Sequence, residues 1–274
     1  MKTDIFIVTY AKDFPWLKCC LRSIQKFARG FSEIHILVPT QDVEALGTLV
    51  NPGSFWDDLK PGDPRAYIHL HSENDWPDKG MVWHMNQIMH ADQWCPTADF
   101  IAHIDADCIF THPVTPETYI LSGKPILRFE NFAFMGKRNP NVLNWQRCTE
   151  ACLPFPVHYE TMRCHPGVFH RDLYAEARHQ MEFKTGKPVP EYIRSCRNEY
   201  PQTFCEFVTL GNVAMHLFPF LYHMVEQIND LPAPPNYLQQ FWSHGPIDQP
   251  QDIWVNGKQK LVVPLEMIRE YGLT

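Results

Sequence analysis

Two apolar, β-branched runs flank an amphipathic stretch in the first forty residues, and this pattern restricts the folds open to the chain. Residues 4–9 (D-I-F-I-V-T) and 33–38 (E-I-H-I-L-V) predict buried strands. Between them, residues 14–28 carry apolar side chains at helical spacing, with Pro15 in the first turn and Asp13 as the predicted cap. Because strand, helix and strand in this order form a βαβ unit, we predict an α/β fold with a mostly parallel sheet and flanking helices.

The carboxyl ends of both predicted strands are candidate positions for a ligand site. Thr9 ends the first strand, Tyr10 and Asp13 follow it, and Pro39 ends the second strand. Ligands of open parallel sheets bind outside the carboxyl ends of the strands, so we expect a binding crevice at these residues. The alternative for Thr9 and Tyr10 is the ordinary polarity of a strand end.

A later apolar run, residues 100–104, leads into two carboxylates one residue apart in the sequence D-F-I-A-H-I-D-A-D-C-I-F. On an extended backbone alternate side chains share a face, so we predict that Asp105 and Asp107 point the same way. Carboxylates are hard oxygen ligands that suit Mg²⁺ or Mn²⁺, ions that commonly bind through one or two carboxylates and substrate phosphates. The alternative is an aspartate-rich turn that binds nothing.

Composition narrows the class of protein. The 274 residues have a hydrophobic fraction of 45% and a formal net charge of −7, which argues against a general nucleic-acid binder but leaves room for a local basic patch. The nine scattered cysteines form no C-x-x-C pair, so we expect a reduced, cytoplasmic protein. No run approaches the ~18 apolar residues of a membrane span.

After residue 110 the pattern becomes less regular, and proline is concentrated there. We predict an edge or antiparallel strand at residues 125–132. The helices predicted beyond it cover residues 141–152, 173–183, 191–197, 203–217 and 265–271, and further strands are predicted within residues 165–169, 221–225 and 238–244.

In their order and spacing these pieces resemble the GT-A-type glycosyltransferases, which are nucleotide-sugar-dependent enzymes with a Rossmann-like sheet. The resemblance rests on a strand ending in Thr-Tyr, a helix, a strand ending in Val-Pro, a helical K-G…W…N-Q segment and a strand ending in I-D-A-D, over about residues 3–112. It implies a single GT-A-like domain over residues 1–274. Residues 1–112 would bind the nucleotide sugar, and residues 113–274 would form an irregular, Pro-rich acceptor-binding half.

The resemblance also implies roles for individual residues. Thr9 and Tyr10 would hold the nucleotide base and ribose, with Asp13 beside them. Asp105 and Asp107 would hold Mn²⁺ or Mg²⁺, and Asp105 the donor ribose as well. The other residues implied in donor or metal binding are Lys79, Trp83, Gln87 and, as a late metal ligand in F-W-S-H-G-P, His244. Each of these residues also has an explanation that involves no ligand. Lys79 and Gln87 would lie on the polar face of a helix, Trp83 would pack in the core, and His244 would lie in an exposed loop.

An inverting transferase also needs a base that deprotonates the acceptor hydroxyl, usually Asp or Glu. Glu206 is the candidate because it is a lone carboxylate in the apolar segment F-C-E-F-V-T-L-G-N, where desolvation would raise its pKa. The alternatives are a helix-surface glutamate or a buried ion pair with an arginine such as Arg171. Glu130 is the reserve candidate.

The sequence thus predicts a metal-dependent glycosyltransferase, a hexosyl- or pentosyltransferase that moves a sugar from a nucleoside diphosphate sugar to a hydroxyl acceptor. We expect the acceptor to be a glycan, although the basic stretch at residues 128–138, with Lys137 and Arg138, is compatible with a modified base in phage-type DNA. One alternative is a nucleotidyltransferase, which the absence of glycine between the first strand and Gly30 disfavours. Another is a non-catalytic nucleotide- or sugar-binding module, which the intact acidic pair disfavours.

Overall fold

The strand, helix and strand predicted at the start of the chain are present in the computed structural model. They are β1 (Thr3–Val8), α1 (Phe14–Phe27) and β2 (Ile34–Pro39). β1 pairs with β2 in parallel, and β3 (Ile68–Glu73) continues the parallel pairing beyond β2. All residues of β1 and β2 are buried, as the continuous apolar runs predict for a sheet covered on both faces.

The central sheet has five strands in the order β3-β2-β1-β4-β9, where β4 is Phe100–His103 and β9 is Gly167–His170. The fold is therefore α/β with a mixed, mostly parallel sheet, and that part of the prediction is confirmed. The structure describes residues 1–50, 68–73, 80–162, 165–196, 204–227, 237–241, 245–255 and 258–273.

Contacts between residues divide the chain into two compact units. The sheet unit consists of Lys2–Asn74, Ala102–Thr118 and Pro232–Thr274. The helical unit consists of Met1, Asp75–Ile101 and Tyr119–Leu231.

The sheet unit contains β1, β2 and β3 with their helices, and later segments of the chain complete it. Its further elements are α2 (Val43–Val50), β5 (Cys108–Phe110), β11 (Leu238–Gln240), β12 (Gln251–Val255), β13 (Lys258–Val262) and α10 (Pro264–Glu270). An apolar cluster in this unit joins Trp16 and Cys19 of α1 to Ile109, Phe241 and Ile268. This cluster holds the last segment of the unit against its first helix.

The helical unit carries most of the helices. Its helices are α3 (Met81–Met89), α4 (Ala91–Trp94), α5 (Phe132–Arg138), α6 (Leu143–Cys152), α7 (Leu173–Thr185), α8 (Val189–Ser195) and α9 (Glu206–Leu217). Its further strands are β6 (Ile120–Leu121), β7 (Lys124–Asn131), β8 (Tyr159–Glu160) and β10 (His223–Glu226). None of the helices in the described part of the chain is long and apolar enough to cross a membrane.

The prediction of an edge or antiparallel strand at residues 125–132 is confirmed in its antiparallel form. β7 pairs antiparallel with β6 and with β8, and it is not an edge strand, because it lies between β10 and β6. Asp13 occupies the position that precedes α1, but its side chain makes no capping hydrogen bond. The short 3-10 turn before α1 is held instead by Asp42, whose Oδ2 accepts a hydrogen bond from the amide of Ala11 at 3.0 Å.

Candidate functional site

The two aspartates lie in a turn between β4 and β5. β4 ends at His103, and the amide of Cys108 donates to the carbonyl of Asp105 at 3.0 Å, which closes a four-residue turn. We call residues 105–108 the acidic turn. The extended backbone predicted for Asp105 and Asp107 is wrong, because the chain turns at this point, and whether their side chains point the same way stays a prediction. Whether the acidic turn binds a metal ion stays a prediction.

Helix α1 supports the backbone around the acidic turn through the side chain of Ser23. The Ser23 hydroxyl accepts a hydrogen bond from the amide of Phe110 at 2.9 Å and donates to the carbonyl of Cys20 at 2.7 Å. The Cys20 thiol lies 3.9 Å from the carbonyl oxygen of Asp105. The two hydrogen bonds of Ser23 are buried and the contact of Cys20 with Asp105 is partly buried, so the helix fixes the backbone on both sides of the turn.

Strand β11 holds the acidic turn from a distant part of the sequence. It pairs antiparallel with β5, and Gln240 lies opposite Cys108. The Gln240 carboxamide donates to Oδ2 of Asp105 at 3.0 Å, and the amide of Phe241 donates to the carbonyl of Asp107 at 2.9 Å. One side chain and one backbone amide of this segment therefore position the two aspartates.

Two buried thiols, of Cys20 and Cys108, lie at the acidic turn. Asp107 is only 8% exposed, and the Cys108 sulfur lies 4.0 Å from its Oδ1. Burial raises the pKa of the Cys20 and Cys108 thiols well above their usual range, and the charge of Asp107 adds to this effect for both. The sulfurs are thus neutral at physiological pH. The hard oxygen ligands of this turn are its carboxylates, a donor set that fits Mg²⁺ or Mn²⁺.

The predicted nucleotide-binding residues lie on the loop after β1. Thr9 is buried, its amide donates to the carbonyl of Leu37 at 3.0 Å, and its hydroxyl has no hydrogen-bond partner among the described residues. Tyr10 is half-buried, with the Lys12 ammonium 5.9 Å from its ring centre. β1 is next to β4 in the sheet, and the amide of Ile104 donates to the carbonyl of Phe6 at 3.2 Å. This loop and the acidic turn thus follow neighbouring strands.

Two more predicted donor-binding residues lie on α3 of the helical unit. Trp83 and Gln87 are 3% and 1% exposed. The burial of Trp83 agrees with the alternative that this side chain packs in the core. The alternative that Gln87 lies on an outward, polar face of the helix is wrong, because its side chain is buried. Their role in donor binding stays a prediction. Lys79 and His244 lie outside the described residues.

Glu206 is the first residue of α9 and is 5% exposed. The helix-surface alternative is therefore wrong, because the side chain is buried. Burial, and next the charge of Glu206, raise the pKa of the adjacent Cys205 thiol well above its usual range. The Arg171 guanidinium donates to the carbonyl of Pro96 at 2.8 Å and contacts Asp172, so these contacts give the ion-pair alternative no support.

The reserve candidate, Glu130, lies on β7 and is 3% exposed. Arg138 at the end of α5 donates a hydrogen bond to its carboxylate. Arg138, one of the cations in the basic stretch at residues 128–138, thus pairs with the buried Glu130. Sequence reasoning missed Glu160, which lies directly opposite Glu130 on β8 and is 1% exposed.

The class of protein that these observations define is an α/β protein with a turn of two carboxylates after an inner strand of its sheet. The chain belongs to a protein family described as "Family of unknown function (DUF6492)", whose family model matches residues 6–214. The match runs from β1 into α9, so it includes the acidic turn and Glu206 and ends before β11. A comparison with curated proteins finds no match.

Proposed function

We propose that this chain is a metal-dependent glycosyltransferase that moves a sugar from a nucleoside diphosphate sugar to a hydroxyl acceptor. The observation that carries the proposal is the acidic turn, which follows β4 and adjoins the strand that leads to Thr9 and Tyr10. Carboxylates beside a nucleotide-binding loop at the end of a sheet strand are the arrangement that such a donor needs.

Asp105 and Asp107 would hold a divalent cation, Mn²⁺ or Mg²⁺, by their carboxylate oxygens. Such an ion, when bound, stabilises the negative charge that develops on a pyrophosphate-bearing leaving group. The contribution of the chain itself is to hold the carboxylates in place: Gln240 orients Asp105, and the amide of Phe241 fixes the backbone of Asp107.

Thr9, Tyr10 and Asp13 would bind the nucleoside of the donor. The buried Thr9 hydroxyl has no partner among the described residues, and a polar group of the ligand would supply one. The half-buried ring of Tyr10 offers a face on which a base can stack. Asp13, at the end of the same loop, would accept hydrogen bonds from ribose hydroxyls.

Glu206 would act as the base for the acceptor hydroxyl. Glu206 is the first residue of α9, and the partial positive charge of a helix amino terminus interacts favourably with a carboxylate. A base must be ionised to accept a proton, so this placement suits the role. The acceptor itself would be a glycan.

A thermal-shift screen with nucleoside diphosphates, with and without Mn²⁺, tests the proposal. Uridine or guanosine diphosphate with Mn²⁺ should stabilise the folded chain by about 2.7 kcal/mol at a hundredfold excess over the dissociation constant. Release of sugar from the matching nucleotide sugar separates a transferase from a binding module. The absence of any shift with all nucleoside diphosphates plus Mn²⁺ would contradict the proposal.

A further inference from the structure

Three histidines of the sheet unit lie together across two neighbouring strands. His35 on β2 is directly opposite His69 on β3, and His71 lies two residues further along the same face. The rings are nearly parallel: His35 and His69 have centres 4.7 Å apart, and His35 and His71 have centres 5.3 Å apart. The mechanism proposed above uses none of these side chains.

Two carboxylates reach the same histidines. Glu33 Oε2 lies 3.4 Å from Nε2 of His35 and 3.2 Å from Nε2 of His69. Asp4 Oδ2 lies 3.2 Å from Nε2 of His35. Asp4 is fully buried, and its Oδ1 accepts no hydrogen bond from the described residues. A buried carboxylate whose oxygen accepts no hydrogen bond is stabilised by a cation close by.

We propose that Glu33, His35 and His69 form a binding site for one Zn²⁺ ion. Their ligand atoms all lie within 4.8 Å of one another. Zinc–nitrogen and zinc–oxygen bonds of about 2.0–2.2 Å place neighbouring tetrahedral ligands about 3.3 Å apart. The observed separations of 3.4 and 3.2 Å from Glu33 to the two imidazoles match that spacing.

The other ring nitrogen of His35 already has a suitable partner. Its Nδ1 lies 3.0 Å from Nε2 of His71. A zinc ion on Nε2 of His35 leaves the proton on Nδ1, and that N–H then donates to His71. Ligating histidines usually make such an outer hydrogen bond, which fixes the tautomer and the ring orientation. His71 is thus a positioning residue for the site.

The chemistry of this cluster differs from that of the acidic turn. Two imidazoles and one carboxylate suit zinc, whereas a pair of carboxylates suits Mg²⁺ or Mn²⁺. The cluster also lies towards the starts of its strands, as Glu33 immediately precedes β2 and Asp4 is the second residue of β1. The His69 side chain is 44% exposed, but its Nε2, the proposed ligand atom, is buried.

Isothermal titration of the metal-free full chain with Zn²⁺ alone tests the site. We expect one ion per chain, loss of this binding in His69→Ala and Glu33→Gln, and an affinity about 10–100-fold lower in His71→Ala. His112→Ala, which removes an exposed histidine of the same unit, serves as the matched control and should bind as the wild type does. Asp107→Asn should also keep the zinc, because the acidic turn is a different site.

X-ray absorption at the zinc edge of the wild-type complex gives a readout that does not depend on any variant. It should show nitrogen and oxygen ligands with the scattering pattern of two imidazoles. Absence of zinc binding by the wild type, unchanged affinity in His69→Ala, or loss of zinc in Asp107→Asn would overturn the assignment.

Discussion

The carboxamide of Gln240 donates a hydrogen bond to Oδ2 of Asp105 at 3.0 Å, although 135 positions separate the two residues in the sequence. A hydrogen bond to a charged group commonly contributes about 1.5–3 kcal/mol. Gln240→Ala should therefore lower the free energy of unfolding by about that amount and weaken donor binding, since Asp105 loses its orienting partner. Urea denaturation and a donor titration measure the two effects. Gln249→Ala, at an exposed position of the same unit, is the control and should change neither.

The metal-binding role of the acidic turn predicts the behaviour of two isosteric variants. Asp105→Asn and Asp107→Asn each remove one negative charge and keep the shape of the side chain, so each should abolish sugar transfer. Chelation by EDTA should have the same effect on the wild type, and added Mn²⁺ or Mg²⁺ should restore its activity. Full activity of both variants in the presence of chelator would show that the turn has no metal-dependent role.

The proposed base can be tested without disturbing the fold. Glu206→Gln keeps the size of the buried side chain and removes its basicity, so turnover should fall by ~10²–10⁴-fold. Donor affinity and melting temperature should stay near the wild-type values. Glu191→Gln on α8, which alters an exposed glutamate of the same unit, should leave turnover unchanged. Normal turnover in Glu206→Gln would refute the assignment, and an unfolded variant would indicate a structural role for the carboxylate.

Two thiols of the helical unit, those of Cys148 and Cys196, predict that the alkylation rate of Cys148 depends on pH. A hydrogen bond from Cys196 lowers the pKa of the Cys148 thiol to about 7. The thiolate is the nucleophile, so alkylation of Cys148 by iodoacetamide should rise as the pH passes through 7 and level off above it. Mass spectrometry of the alkylated peptide measures the rate. Cys196→Ala removes the donor and should move the midpoint upwards, whereas a wild-type midpoint near 9 would contradict the prediction.

Helix α1 shows what the sequence predicts well. The apolar spacing and Pro15 place its start at Phe14, as observed, and the predicted end lies one residue beyond Phe27. Gly30 follows with a φ of +76°, a conformation that glycine adopts without strain and that suits the chain reversal after the helix. Such local signals suffice because a helix is defined by contacts between residues close in sequence.

The acidic turn shows what local signals do not resolve. Apolar and small residues alternate with the aspartates from Ile104 to Cys108, a pattern that fits a strand as well as a turn. The turn is closed by one backbone hydrogen bond and held by β11, whose contribution is not visible in the local sequence. The same reason applies to the inner position of β7 in its sheet, because its neighbour β10 comes nearly a hundred residues later.

Two features missed by the sequence interpretation do have signals in the sequence. The dipeptide Asn-Gly separates β12 from β13, and this dipeptide between two extended runs is the strongest short-range indication of a hairpin. His69 and His71 alternate with apolar residues, which places both on one face of a strand. The meeting of His69 with His35 depends on the register between β2 and β3, and the sequence does not specify that register.

The antiparallel pairing of β5 with β11 has a consequence for the order in which the protein is made. A ribosome synthesises the chain from its amino terminus, so Asp105 and Asp107 are translated long before Gln240 and Phe241 exist. During that interval the turn lacks the two hydrogen bonds that position its aspartates. We therefore expect a nascent chain to acquire its fold around β1 and β2 first and to gain a properly arranged pair of carboxylates only when residue 241 has emerged.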